Sequence, residues 1–439
     1  MKQAVDKHTE KTLEAEIVDH LTKHAGYDES DPKDYNVALA MFPKTVINFL
    51  KTSQPKELEK LSKIHKDKIE DKLLERLVKE LDQRGMLEIL RHGITDYGVK
   101  FKLAFFKPTH GLNPQTIKEF DLNVLTATRQ VHYSLKNKNS LDILLSINGL
   151  PVATVELKNQ FTGQDVTNSQ RQYIEDRDPH ELLFQFKKRT LVHFSVDADL
   201  VMMTTGLDGK KTRFLPFNKG FDRGAGNPLN PNGHRTSYLW EGIWERESWM
   251  EIFRRFINLQ IEEFKINGEI KKKEKIIFPR YHQIDSVRKI SVHAKQHGVG
   301  NHYLIQHSAG SGKSNSIAWL AYNLQGLHNA KDKAIFDTVI VISDRRILDD
   351  QLQKTIYQFD HTQGVVQPID QDSTQLKEHL EAGTKIIITT LQKFPVVIKK
   401  IADLPKRSYA IIVDEAHSSQ GGESAKHLKA VLRERSLEE

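Results

Sequence analysis

The sequence predicts an α/β protein in two parts, a strand-rich first part and a parallel-sheet second part. Three observations carry that expectation. Between residues 100 and 206, short apolar runs of strand length recur: "LDILLSI", "PVATVEL", "TLVHFSV" and "LVMMTTG". The first two are joined through Asn148-Gly149, a dipeptide that favours tight hairpin turns. Beyond residue 300, "HYLIQ", "TVIVIS", "KIIITT" and "AIIVDE" alternate with helical segments, the pattern of a parallel sheet.

The elements follow in order. Residues 11–24 place Leu13, Ile17, Val18 and Leu21 on one stripe and predict an amphipathic helix. Residues 36–92 are helix-rich, and their dense Lys and Glu read as a solvated face rather than a DNA contact. A helical stretch, "TNSQRQYIEDRD", separates the strands of the first part. Residues 216–237 gather Gly, Pro and Asn into a long loop, where Lys219, Arg223 and Arg235 offer phosphate contacts. Residues 238–266 read as helix, with Trp240, Trp244, Trp249, Phe253 and Phe256 forming an interdomain brace. "KKKEK" at 271–275 marks a linker. The expected boundaries are a first domain at 1–237 with a helical insertion near 36–92, a linking segment at 238–277, and a second domain at 278–439.

Composition narrows the function classes. The 439 residues are 38% hydrophobic and 28% charged, enough for sizeable cores, and a net charge of +7 suits a polyanionic partner such as nucleic acid. The sequence has no cysteine, which removes disulfides, thiolate catalysis and cysteine-held zinc, and fits a reducing cytoplasm. The N-terminal stretch lacks a signal-peptide core, and runs such as "YAIIV" fall far short of the roughly 20 residues that cross a bilayer, so a soluble, cytoplasmic protein is expected.

"HYLIQHSAGSGKSNSIAWLAYNL" has the strand–loop–helix order of a phosphate-binding loop. Gly310, Ser311 and Gly312 would let backbone N–H groups approach phosphate oxygens, Lys313 would reach the β- and γ-phosphates, and Ser314 would offer its hydroxyl to magnesium. His307 stands where the motif's first glycine usually does. Further on, "YAIIVDEAHSSQ" ends an apolar strand in Asp414-Glu415. Asp414 would hold magnesium, and Glu415 would position the attacking water.

In the first part, "LPVATVELKNQ" ends with Glu156 and Lys158, two residues apart and so on one strand face. The E-x-K spacing recurs at Glu70, Glu263 and Glu269 and means little alone. Asp142 on the preceding strand changes that: two carboxylates on adjacent strands plus a lysine suit metal-assisted phosphodiester cleavage. The turn decides the geometry. A two-residue turn at Asn148-Gly149 pairs Ile147 with Leu150 and points Asp142 away from Glu156, whereas a three-residue loop at 148–150, or a bulge, brings both onto one face.

These motifs resemble two known families. Residues 278–430 resemble the first motor domain of superfamily 2 helicases and translocases, with a DEAH box at Asp414–His417. That resemblance implies a RecA-like parallel-sheet domain, ATP and Mg2+ as cofactors, and Gln283 of "FPRYHQIDSVRKI" as the adenine reader. It also implies Arg345, Thr390 and Lys393 at a DNA backbone. Asp142, Glu156 and Lys158 resemble the PD-(D/E)xK nuclease fold, with Asp142 and Glu156 as metal ligands and Glu16 on the first helix as an accessory acid. Related nucleases carry Q-x-x-x-Y on the next helix. Here Gln170 and Gln172 precede Tyr173 at other spacings, and Ser169 stands four before it, so which Gln serves stays open.

A nuclease followed by such a motor is similar to the restriction (R, motor) subunit of type I restriction–modification enzymes. The implied activity is ATP-dependent translocation on double-stranded DNA coupled to Mg-dependent cleavage, with methyltransferase and specificity subunits as partners. It also implies a second motor domain, absent from these 439 residues, so the sequence reads as a fragment that binds ATP and hydrolyses it poorly. Two alternatives stand beside it: a DNA translocase or helicase with a structural nuclease-like domain, and a non-catalytic assembly subunit that uses ATP as a switch.

Overall fold

The hairpin at Asn148-Gly149 organises the first part of the chain, and a computed structural model shows how. The structure describes residues 10–107, 114–159, 163–266, 269–343, 355–356, 366–368, 373–390 and 407–414. Two compact units divide the chain, one running to Ile257 and including Glu262–His282, the other holding Asn258–Ile261 and Gln283 onward.

The first unit is built on a seven-stranded sheet. In chain order its strands are β1 (Tyr27–Glu29), β2 (Leu125–His132), β3 (Ser140–Ile147), β4 (Leu150–Leu157), β5 (Val192–Val196), β6 (Val201–Thr204) and β7 (Leu215–Pro216). They lie side by side in that same order. The pairs β1–β2 and β4–β5 are parallel, and β2–β3–β4 is an antiparallel meander. The crossover from β4 to its parallel neighbour β5 contains helix α6 (Val166–Glu175), as a parallel connection requires. Every residue of β4 is buried, which explains its nearly unbroken apolar run.

Helix α1 (Glu10–His24) buries Leu13, Ile17, Val18 and Leu21, as its stripe predicts, together with Glu14. The insertion consists of α2 (Pro43–Ser53), α3 (Pro55–His65), α4 (Ile69–Arg84) and α5 (Met86–His92). Its charged run is largely solvent-facing, with Leu61, Leu73, Leu77 and Leu81 turned inward.

Asn148 (φ +52°) and Gly149 (φ +82°) both occupy the left-handed region, the combination a two-residue type I′ turn needs. The turn is buried. Asn148 accepts from Val124 N at 2.7 Å and donates to Leu103 O at 2.8 Å and Asn123 Oδ1 at 3.0 Å. Ile147 faces Leu150 and Ser146 faces Pro151, but Leu145 faces Ala153. Val152 is therefore an extra residue, a bulge. It follows Pro151, which has no N–H for the ladder and is tolerated at such irregularities.

One expectation fails here. Residues 238–266 are not one helix: short helical turns reach Phe256, and Asn258–Ile266 is a strand forming a two-stranded sheet with Glu269–Ile277, which contains "KKKEK". Alternating charge on an exposed ribbon reads like a solvated helix face. The aromatic residues help build the first unit's own core: Trp244 and Trp249 pack on Phe194 of β5, with ring centroids 5.4 and 6.4 Å away. Burying each such ring contributes on the order of 2–3 kcal/mol.

The second unit carries a four-stranded parallel sheet. Its strands are β8 (Thr338–Ser343), β9 (Val366–Pro368), β10 (Ile386–Thr390) and β11 (Tyr409–Val413), in the order β9-β10-β8-β11. β8 and β10 are buried throughout, as strands covered on both faces should be. Helix α7 (Tyr281–His297) precedes the glycine loop and α8 (Lys313–Gln325) follows it, packing against β8, β10 and β11. The run "HYLIQ" is not a strand: Leu304 is 83% exposed. Among the described residues no strand edge pairs with this run, and without a partner its backbone groups stay with solvent.

Candidate functional site

The bulge at Val152 settles the geometric test. With Ile143 opposite Val155, the next pair in register is Asp142 opposite Glu156, so the two carboxylates share a face. The turn itself has two residues, and the bulge supplies the shift that the turn does not.

Asp142 accepts from Leu157 N at 2.7 Å through Oδ2, and Gln130 Nε2 lies 3.3 Å from its Oδ1. Burial pushes the Asp142 carboxyl up; the Leu157 N–H bond opposes this and Glu10 adds to it. Glu156 is fully buried. Its Oε1 receives Arg177 Nε at 2.8 Å and Nη2 at 2.7 Å, while Oε2 has no partner. Burial, and then repulsion from Asp142, outweigh Arg177 and push the Glu156 carboxyl up to about 8. Lys158 Nζ donates to Glu10 Oε1 at 2.6 Å and to Leu157 O at 2.8 Å.

Helix α1 enters the site through Glu10 and Glu14, one turn apart. Gln130 Nε2 donates to Glu14 Oε2 at 2.8 Å and so bridges Glu14 and Asp142. Gln130 lies opposite Asp142 with a left-handed φ of +51°, a local strain of the kind that gathers at functional positions. Burial raises the Glu14 carboxyl, against the lowering effect of the Gln130 amide.

Glu16 does not join this group. It is half exposed and stands 3.3 Å from His234 Nε2, because two helical positions away from Glu14 is a different face. Glu10, Glu14, Gln130 and Arg177 were all missed by sequence reasoning. Only Glu14 had a usable signal: with Ile17, Val18 and Leu21 it completes the i, i+3, i+4, i+7 set, a lone carboxylate on an apolar stripe.

Tyr173 is fully buried, its hydroxyl 2.8 Å from Thr154 Oγ1, which also meets His193 Nδ1 at 2.8 Å. Ser169, at the motif's glutamine position, turns its Oγ back to Val166 O at 2.9 Å. Gln170 and Gln172 are partly exposed on the same helix.

Counted as ionised, Glu10, Glu14, Asp142 and Glu156 exceed Lys158 and Arg177 by two negative charges, the demand of one divalent cation. Arg129 comes only within 4.0 Å of Glu14 and pairs with Glu29 at 2.8 Å. Among the described residues no three His, Asp or Glu stand at the spacing of a formed metal site. The fit to a cation rests on the shared face of Asp142 and Glu156 and on the unpartnered buried Oε2.

In the second unit, Gly310 (φ +72°) and Gly312 (φ +82°) shape the loop, and Gly312 caps α8, whose first residues are Lys313 and Ser314. Gln283 is buried, and its Nε2 donates to Ser311 O at 3.1 Å and Gly312 O at 3.0 Å. Its amide thus meets the loop itself. Asp414 follows β11 with its N–H on Ile342 O at 2.9 Å, and α8 packs on that strand. Thr390 ends β10, paired with Ser343 of β8. Arg345, Lys393 and Glu415 lie outside the described residues.

Comparison with known proteins agrees with both units. The family model for the type I restriction enzyme R protein N terminus matches residues 7–220, and that for the SWI2/SNF2 ATPase matches residues 282–437. A type I restriction enzyme endonuclease subunit of Staphylococcus saprophyticus is 24% identical over 94% of this chain and 40% of its own length. One from Staphylococcus aureus is 24% identical over 96% of this chain and 41% of its own. The HindI endonuclease subunit of Haemophilus influenzae is 26% identical over 64% of this chain and 26% of its own. The chain thus spans well under half the length of these curated relatives. No described helix is long and apolar enough to cross a membrane. The two models and these relatives together match most of the chain, which is thus similar along its length to type I restriction enzyme endonuclease subunits.

Proposed function

We propose that this chain carries the nuclease and the first motor domain of a type I restriction endonuclease subunit, coupling ATP-dependent translocation on double-stranded DNA to Mg-dependent phosphodiester cleavage. In this reading residues 1–237 form a PD-(D/E)xK nuclease domain and 278–439 a RecA-like DEAH-box domain, working in the cytoplasm with methyltransferase and specificity subunits.

The observation that carries the nuclease reading is the Val152 bulge, which sets Asp142 opposite Glu156 two residues from Lys158. The order α1–β2–β3–β4–α6–β5, with β4 and β5 parallel, supports it. Asp142 and Glu156 would hold magnesium, which when bound lowers the pKa of water and offsets phosphate charge. Lys158 Nζ, part-buried beside Glu10, orients that water or meets charge on the phosphate. Tyr173 holds its helix against β4 through Thr154, and Gln170 or Gln172 serves as the polar anchor near the scissile phosphate.

In the motor, Gly310, Ser311, Gly312, Lys313 and Ser314 receive the ATP phosphates and Asp414 its magnesium, with Glu415 acting on water. Gln283 bears on the nucleotide pocket through its bonds to the loop carbonyls. Arg345, Thr390 and Lys393 contact DNA backbone.

The test is cleavage of unmodified DNA by the assembled enzyme. Asp142→Ala and Lys158→Ala should each abolish cutting and leave ATP binding intact. Cutting that survives both changes would remove the nuclease reading and favour a translocase with a structural first domain.

A further inference from the structure

Arg177 bonds three neighbours in the first unit's site: Glu156, Ser140 and Tyr133. Its side chain is 2% exposed. Nη2 donates to Ser140 O at 2.9 Å as well as to Glu156, Nη1 reaches the Tyr133 hydroxyl at 3.3 Å, and the guanidinium lies 5.3 Å from the Tyr133 ring centroid. An arginine usually grips a carboxylate as a fork, one donor to each oxygen. Here both donors converge on Oε1, and Oε2, equally buried, is left without a partner. Ser140 O and the Tyr133 hydroxyl engage the rest of the guanidinium and so fix its plane.

An oxygen already receiving two charged N–H donors has little lone-pair density left for a cation. The guanidinium also carries a full positive charge beside any cation that Glu156 holds, and both of these side chains are buried. From this geometry we infer that Arg177 is a positioning residue: it restricts Glu156 to a one-oxygen ligand through Oε2 and holds down the site's affinity for a divalent cation. The nuclease would then bind metal weakly by itself and load it fully when another source of negative charge, such as the DNA phosphate, joins Asp142 and Glu156. The inference rests on the magnesium-nuclease reading above.

Equilibrium Mn2+ binding by the purified chain tests it without any cleavage assay. Wild type should bind weakly and Glu156→Gln should lose binding. Arg177→Met should bind tighter by about tenfold or more, because a unit charge beside the ligand is gone. Arg177→Gln, also neutral but still a hydrogen-bond donor, should tighten binding likewise and serves if Arg177→Met fails to fold. Arg177→Lys keeps the charge and should stay close to wild type. If the neutral variants bind no tighter than wild type while Glu156→Gln loses binding, the role of Arg177 is overturned and the metal site stands. If wild type binds no Mn2+, or Glu156→Gln binds as well as wild type, the metal-site reading falls and the inference with it.

Discussion

Alanine at Gly149 tests the seat of the turn from which the bulge is measured. Gly149 has φ +82°, and a methyl group there would meet Phe42 O at 2.7 Å, Val46 N at 2.8 Å and Val46 Cγ2 at 2.9 Å. Two of those atoms belong to the backbone at the start of α2, and Phe42 N also bonds Gly149 O at 2.9 Å, so neither side can yield cheaply. The left-handed conformation costs an L-residue roughly 1–2 kcal/mol. Overpacking adds about 1–3 kcal/mol, for a loss of roughly 2–5 kcal/mol in all. Gly98 is the control: its φ is +81°, but nothing lies within 4 Å of an added Cβ. Gly98→Ala should therefore lose only the conformational part, roughly 1–2 kcal/mol. Urea unfolding followed by tryptophan fluorescence reads the first unit, which holds three of the four tryptophans. Equal losses at the two glycines would refute the close seat of the turn on α2.

Two further outcomes follow from other parts of the molecule. His193 is fully buried, and burial holds its imidazole down to about 3, against 6.5 in the unfolded chain. The unfolded state therefore takes up the proton first as pH falls below 6.5, and stability is lost on that side: about 2 kcal/mol at pH 5 relative to pH 8. His193→Gln should remove that part of the pH slope, and an unchanged slope would contradict the burial assigned to the ring. In the second unit, Lys313→Ala should weaken ATP binding by roughly tenfold or more, the worth of one charge-assisted phosphate contact. Calorimetric titration giving an unchanged affinity would place the nucleotide elsewhere.

Much of this architecture was legible because it rests on local pattern. The apolar runs of β3, β4, β8 and β10 announce buried strands, that of β11 announces a half-buried one, and the stripe of α1 announces its buried face. What was not legible depends on contacts far apart in sequence. β2, "LTATRQVH", is too polar to read as a strand until its pairing with β3 is known. The bulge was one of two acceptable geometries in the sequence, and the choice is made by Asn148 locking a two-residue turn to Val124 and Leu103. Arg177 lies beyond the end of α6, four residues after Tyr173, and nothing local marks it as the partner of Glu156. "HYLIQ" has the composition of a strand, but composition cannot provide the neighbouring edge that a strand requires.

The central claim is that Asp142 and Glu156 hold a divalent cation on one face of the β3–β4 hairpin. Replacing Mg2+ with Fe2+ and adding ascorbate and peroxide generates hydroxyl radicals at the bound ion, which cut the polypeptide beside it. The account predicts backbone cuts within residues 140–147 and 150–158, abolished by Asp142→Ala and by excess Mg2+. Iron-dependent cuts confined to other segments, or cuts in the hairpin that persist in Asp142→Ala, would contradict it.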